Sequence, residues 1–106
     1  MAWIYLVIAG LFEIAWAVGL KYTEGFTRLW PSAWTVTAMI VSFLFLAESL
    51  KSIPVGTGYA VWTGIGAAGT ALMGILLFEE SRDLFRVMCI LTIVAAIAGL
   101  KLSSPA

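Results

Sequence analysis

Ala9-Gly10-Leu11-Phe12-Glu13-Ile14-Ala15-Trp16-Ala17 is the stretch on which the reading of this chain turns. A carboxylate stands inside an apolar run from Trp3 to Leu20, and the next charge along the chain is Lys21. About 20 apolar residues in a helix reach across the ~30 Å hydrocarbon core of a bilayer. The run therefore predicts a spanning helix with Glu13 at hydrocarbon depth. An ionised carboxylate there costs at least ~2.5–3.5 kcal/mol on insertion scales, and it is tolerated when it faces a partner, a cavity or a proton.

Outward from this stretch, the whole chain has the same character. Of its 106 residues 62% are hydrophobic and 11% charged, against ~45–50% and ~25% in a soluble domain. The mean hydropathy is +1.05. Net charge is zero, and no basic cluster suggests nucleic acid. The sequence has no His, Asn or Gln, which removes the commonest general base, the commonest metal ligand and the amides that join membrane helices. Neither a metal nor a cofactor is expected, and no nucleophile–base pair suggests an enzyme. Cys89 stands alone in an apolar run and reads as a small core residue. The N-terminus has no basic n-region and its apolar stretch is too long for a signal sequence, so the first segment is expected to remain in the mature protein.

Four apolar segments follow one another, at about 3–20, 31–50, 55–78 and 85–100. Lys21 to Arg28 forms the first loop, Lys51-Ser52-Ile53-Pro54 the second and Glu79-Glu80-Ser81-Arg82-Asp83 the third. Pro31 suits the first turn of a helix and Trp30 a membrane interface. Short loops require antiparallel neighbours. The fold class expected is all-α: residues 1–106 form a single four-helix transmembrane domain. With both termini on one side, Lys51 and Lys101 share that side, while Lys21, Arg28, Arg82 and Arg86 share the other. That bias weakly favours the first and third loops as cytoplasmic and permits copies to insert both ways.

At helical spacing Glu13 shares its face with Ala9, Gly10, Trp16 and Ala17. Packing through Gly10 and Ala17 explains the small residues but not the acid. In the second span Ser42 is a candidate donor to a carboxylate, although a lone Ser more often bonds its own helix. Glu48 lies one turn from Lys51 and reads as a locally paired interfacial charge. In the third span Tyr59, Trp62, Thr63 and Gly66 share a face. Two rings at that spacing make a wall for a cation, each attracting it by ~0.5–2 kcal/mol, and Glu13 is the acceptor expected for their O–H and N–H groups. Gly64-Ile65-Gly66-Ala67-Ala68-Gly69 matches a dinucleotide pattern only formally, since it lies mid-span without a preceding strand. Close helix packing or a bend is the better reading. The small residues Thr92, Ala95, Ala96 and Gly99 make the fourth span a helix-association surface.

Four helices are too few to enclose a gated pathway. Larger transporters gain two-sided access from inverted repeats around a midplane site, and two copies of this chain in opposite orientations would achieve the same. Two Glu13 side chains would then titrate as a unit. Such a site holds protons or a cation, and that competition is enough for exchange.

Three stretches carry a resemblance: Gly10-Leu11-Phe12-Glu13-Ile14-Ala15-Trp16-Ala17, Leu20-Lys21-Tyr22-Thr23-Glu24-Gly25-Phe26-Thr27-Arg28-Leu29 and Pro54-Val55-Gly56-Thr57-Gly58-Tyr59-Ala60-Val61-Trp62-Thr63-Gly64-Ile65-Gly66. In them, and over nearly its whole length, the chain closely resembles the small multidrug resistance family, specifically its guanidinium-exporter subtype. The resemblance implies an antiparallel homodimer in the bacterial inner membrane, working by alternating access. It implies that Glu13 of both subunits binds either protons or substrate. By position it also implies that Gly10, Trp16, Ser42, Tyr59 and Trp62 line that site, with Trp16 separating the subtype from the multidrug branch. Gly58 and Glu48 depart from the pattern, and pairing with a similar second chain stays open. The rival readings are an exporter of quaternary ammonium or other hydrophobic cations, an accessory subunit in which Glu13 merely joins helices, and a passive guanidinium or proton channel.

Overall fold

A computed structural model describes residues 1–103. Four helices follow in order: α1 (Ala2–Tyr22), α2 (Leu29–Ser49), α3 (Val55–Leu77) and α4 (Leu84–Ser103). Each is long and apolar enough to cross a membrane. At 1.5 Å rise per residue they measure about 30–35 Å, which matches the hydrocarbon thickness.

The helix ends differ from the expected spans by up to three residues, each for a local reason. α1 runs on through Lys21 and Tyr22, because the Lys21 ammonium sits 4.5 Å from the centre of the Phe78 ring and Tyr22 packs against the same ring at a tilt. Buried Thr23 then stops the helix. Its hydroxyl donates to the Leu20 carbonyl at 2.8 Å and accepts from the Phe26 N–H at 3.2 Å. Pro31 is the third residue of α2, still within the turn whose N–H groups have no helical partner. α3 ends at Leu77 as Glu79 enters the left-handed region, φ 53°, and the Glu80 N–H returns to the Gly74 carbonyl at 3.2 Å. α4 opens on Asp83, whose carboxylate accepts from the Arg86 N–H at 2.8 Å, an N-cap of the usual kind. It extends to Ser103 because Lys101 lies over the Trp3 ring, 4.6 Å from its centre.

The helices do not close into a bundle. α1 lies between α2 and α3, α3 carries α4 on its far side, and α2 meets α3 only narrowly. The result is a bowed row, α2–α1–α3–α4, with extents of 43 × 35 × 17 Å. Four axes spaced 8–10 Å apart account for the 35 Å width. The radius of gyration is 14.6 Å, against about 13 Å for a compact soluble chain of this length. Leu6, Ala9, Leu46, Ile53, Val61 and Trp62 form the buried core. α4 buries none of its residues, so Cys89 is exposed and is not the core residue expected. In a membrane protein the outward face is as apolar as the interior, and an apolar run does not tell a residue which way it points.

Candidate functional site

Glu13 lies halfway along α1 and meets the middle of α3 at Gly66. A side chain at position 66 would collide with Oε1, Cδ and Cγ of Glu13, so the absent Cβ makes the seat for the carboxylate. The same contact line is kept close by Gly10, whose open side is filled by Ile65, and by Gly69, which is filled by Ile14. Glu13 is half-buried. Its Oε1 is fully shielded and has no hydrogen-bond partner among the described residues. Among the described residues no Lys or Arg forms an ion pair with it. Lys51 pairs with Glu48 at 3.1 Å, as its spacing suggests, Arg86 pairs with Glu80 at 2.6 Å, and Lys21 and Lys101 rest on rings at the helix ends.

One helical turn on, Trp16 presents a ring and a buried indole N–H that also lacks a partner among the described residues. Its ring meets Phe43 edge-on at 6.3 Å. Phe43 continues to Trp62 at 5.6 Å, and Trp62 meets Tyr59 at 5.2 Å in a T-shaped pair. Four rings from three helices thus form one continuous wall leading away from Glu13. Tyr59, at its outer end, is exposed.

Ser42 is fully buried and does not serve Glu13. Its hydroxyl donates to the Ala9 carbonyl at 2.7 Å and accepts from the Trp62 indole N–H at 3.0 Å. A hydroxyl has one proton and an indole has one, so neither Ser42 nor Trp62 has a donor left for the carboxylate. The expectation that Ser42 and the Trp62 N–H bond Glu13 is corrected on this point. Instead, one hydroxyl joins α1, α2 and α3 just beneath the acid. Gly10 packs beside Ile65, one turn from Glu13. The structure therefore gathers Trp16, Phe43, Trp62 and Tyr59 into one wall, holds Ser42 behind it, and sets Glu13 across from Gly66.

The sequence does not by itself announce Phe43 or the Glu13–Gly66 contact. Helical spacing puts Gly66 on the Tyr59–Trp62 face, which is the one signal for its role, and Phe43 has only its adjacency to Ser42.

Chemically, the arrangement offers a shielded acceptor with no fixed counterion among the described residues, on the same helix as a flat π-face one turn away. It suits a proton or a planar organic cation. Among the described residues no group of His, Cys, Asp and Glu side chains is placed to hold a metal ion.

Comparison with known proteins agrees with this chemistry. The profile of a family described as Small Multidrug Resistance protein matches residues 1–93. A protein named guanidinium exporter from Escherichia coli (strain K12) is 62% identical over 104 residues, covering 98% of this chain and 99% of its own length. Proteins of the same name from Yersinia pestis and Proteus vulgaris are 59% and 58% identical over 104 residues, each covering 98% of this chain and 100% of their own length.

Proposed function

The chain belongs to the small multidrug resistance family, and from that premise we propose that it exports guanidinium and small guanidinyl cations in exchange for protons. The observation that carries the reading is the Glu13 oxygen, shielded at mid-span with neither a hydrogen-bond donor nor a cation beside it among the described residues. A chain keeps such a group when the partner is mobile. Guanidinium brings its own N–H donors, is weakly hydrated, binds carboxylates bidentately and stacks on rings. Proton and cation compete for the same oxygens, and that competition couples their opposite movements.

The open row supports a dimeric transporter. Its site-bearing face is only one side of a chamber, and a second copy in inverted orientation supplies the other side with its own Glu13. Alternating access then follows from exchanging the roles of the two copies. The weak charge bias between loops is compatible with insertion in both directions. The location is the bacterial inner membrane.

A vesicle assay tests the reading. Outward guanidinium movement is expected to drive proton uptake in the opposite sense, and Glu13→Gln is expected to assemble and transport nothing. Tetraalkylammonium ions have no N–H to give the carboxylate and are expected to compete poorly. If they alone moved, the multidrug alternative would replace this one. Guanidinium flux without proton movement would indicate a channel.

A further inference from the structure

The site at Glu13 leaves the second acid inside a helix unused. Among the acidic residues, only Glu13 and Glu48 stand inside helices, while Glu24, Glu79, Glu80 and Asp83 lie in loops. Glu48 lines a groove of about 350 Å³ together with Tyr5, Leu44 and Phe45. The groove lies at the membrane end where α1 begins and α2 ends. Tyr5 and Phe45 stand 5.9 Å apart at 43°, so two rings share the groove with the carboxylate. Phe45 is in turn stacked on Phe12 at 6.5 Å. Phe12 precedes Glu13 in the chain and lies about 10 Å deeper than Tyr5 at helical rise.

A carboxylate that shares a groove with two aromatic rings offers, at the water boundary, the same kinds of group as the central site. Its present partner is easily displaced. Lys51 holds Glu48 at 3.1 Å, but the two side chains are 73% and 50% exposed, and such surface pairs contribute little. A guanidinium can take the place of that ammonium, adding bidentate geometry and ring stacking that the tethered Lys does not supply.

We propose that Tyr5, Phe45 and Glu48 form an outer binding site for a guanidinium-type cation, with Lys51 as the internal group that the cation displaces. The identity of the cation rests on the transport reading above; the site itself rests on the groove. It gathers the cation at the membrane boundary, where the Phe45–Phe12 stack leads inward to the level of Glu13.

The test uses the full-length protein in micelles with phenylguanidinium as the probe, and Glu13→Gln as the background so that the central site is silent. Saturable chemical-shift changes are expected at Tyr5, Phe45 and Glu48. Adding Glu48→Gln is expected to abolish them. Adding Lys51→Gln instead is expected to strengthen binding several-fold, because the competing ammonium is gone. Both substitutions are at exposed positions and leave the core intact. In vesicles, Glu48→Gln alone is expected to raise the KM for guanidinium several-fold with little change in maximal rate. Shifts that survive Glu48→Gln, or a Lys51→Gln variant that binds no better, would overturn the proposal. So would an unchanged KM. Failure of the transport reading is seen separately, as wild-type vesicles in which guanidinium moves no protons.

Discussion

Gly66 and Ser42 do more for the site than their size suggests, and each gives a test. Gly66→Ala places a methyl where Glu13 now lies. Overpacking of this kind costs ~1–3 kcal/mol. Because the carboxylate is the movable part, the effect should fall on it first. Guanidinium-driven proton flux is expected to drop about tenfold or more, at 1.4 kcal/mol per decade, while assembled protein is still recovered. Ser42→Ala leaves the Trp62 indole N–H buried without an acceptor, at ~1–3 kcal/mol. The expected result is a lower melting temperature in micelles together with a loosened Trp62 ring, read as a shift of tryptophan emission. The acid itself was legible in the sequence, since a lone charge in an apolar run announces its own cost. The destination of each proton was not. Ser42, Trp62 and Glu13 all lie on plausible faces, and only geometry decides which donor meets which acceptor.

Among the elements, α3 and α4 are tied together at the third loop by polar contacts. Glu80 lies over Gly74 and pairs with Arg86 at the start of α4, while Asp83 caps that helix. The backbone N–H of Arg86, and then the Ser81 hydroxyl, hold the Asp83 carboxyl below its ordinary pKa range. A carboxyl lowered in the folded state stabilises the fold at neutral pH, and the effect is lost as pH falls through the folded value. The melting temperature of the wild type minus that of Asp83→Asn is therefore expected to be positive and flat near neutrality. It should vanish in acid below the ordinary carboxylate range, and a difference independent of pH would remove the cap's charge from the account. The helices themselves were plain in the sequence because their breaks carry charges, Pro and Gly. Their outward and inward faces were not, as Cys89 illustrates, because lipid and protein interior select the same side chains.

The whole molecule is an 11.4 kDa row with a broad apolar surface. Its width follows from the order α2–α1–α3–α4, which short loops alone do not dictate. A square bundle would have satisfied the same connections. The row predicts that the working unit has twice the protomer mass in mild detergent, measurable by light scattering with the detergent contribution subtracted. In a Cys89→Ala background, a single cysteine introduced at Gly25 is expected to be labelled from both sides of the membrane in intact vesicles. Labelling from one side only would rule out opposed copies.

The Ser42 hydroxyl also sets an order in which this sequence can change. In Trp62→Phe the Ser42 proton still reaches the Ala9 carbonyl, so that step orphans no buried donor. Ser42→Ala taken first strands the indole. The same two replacements therefore pass through intermediates of unequal fitness, and lineages descending from such a chain are expected to lose the ring nitrogen before the hydroxyl.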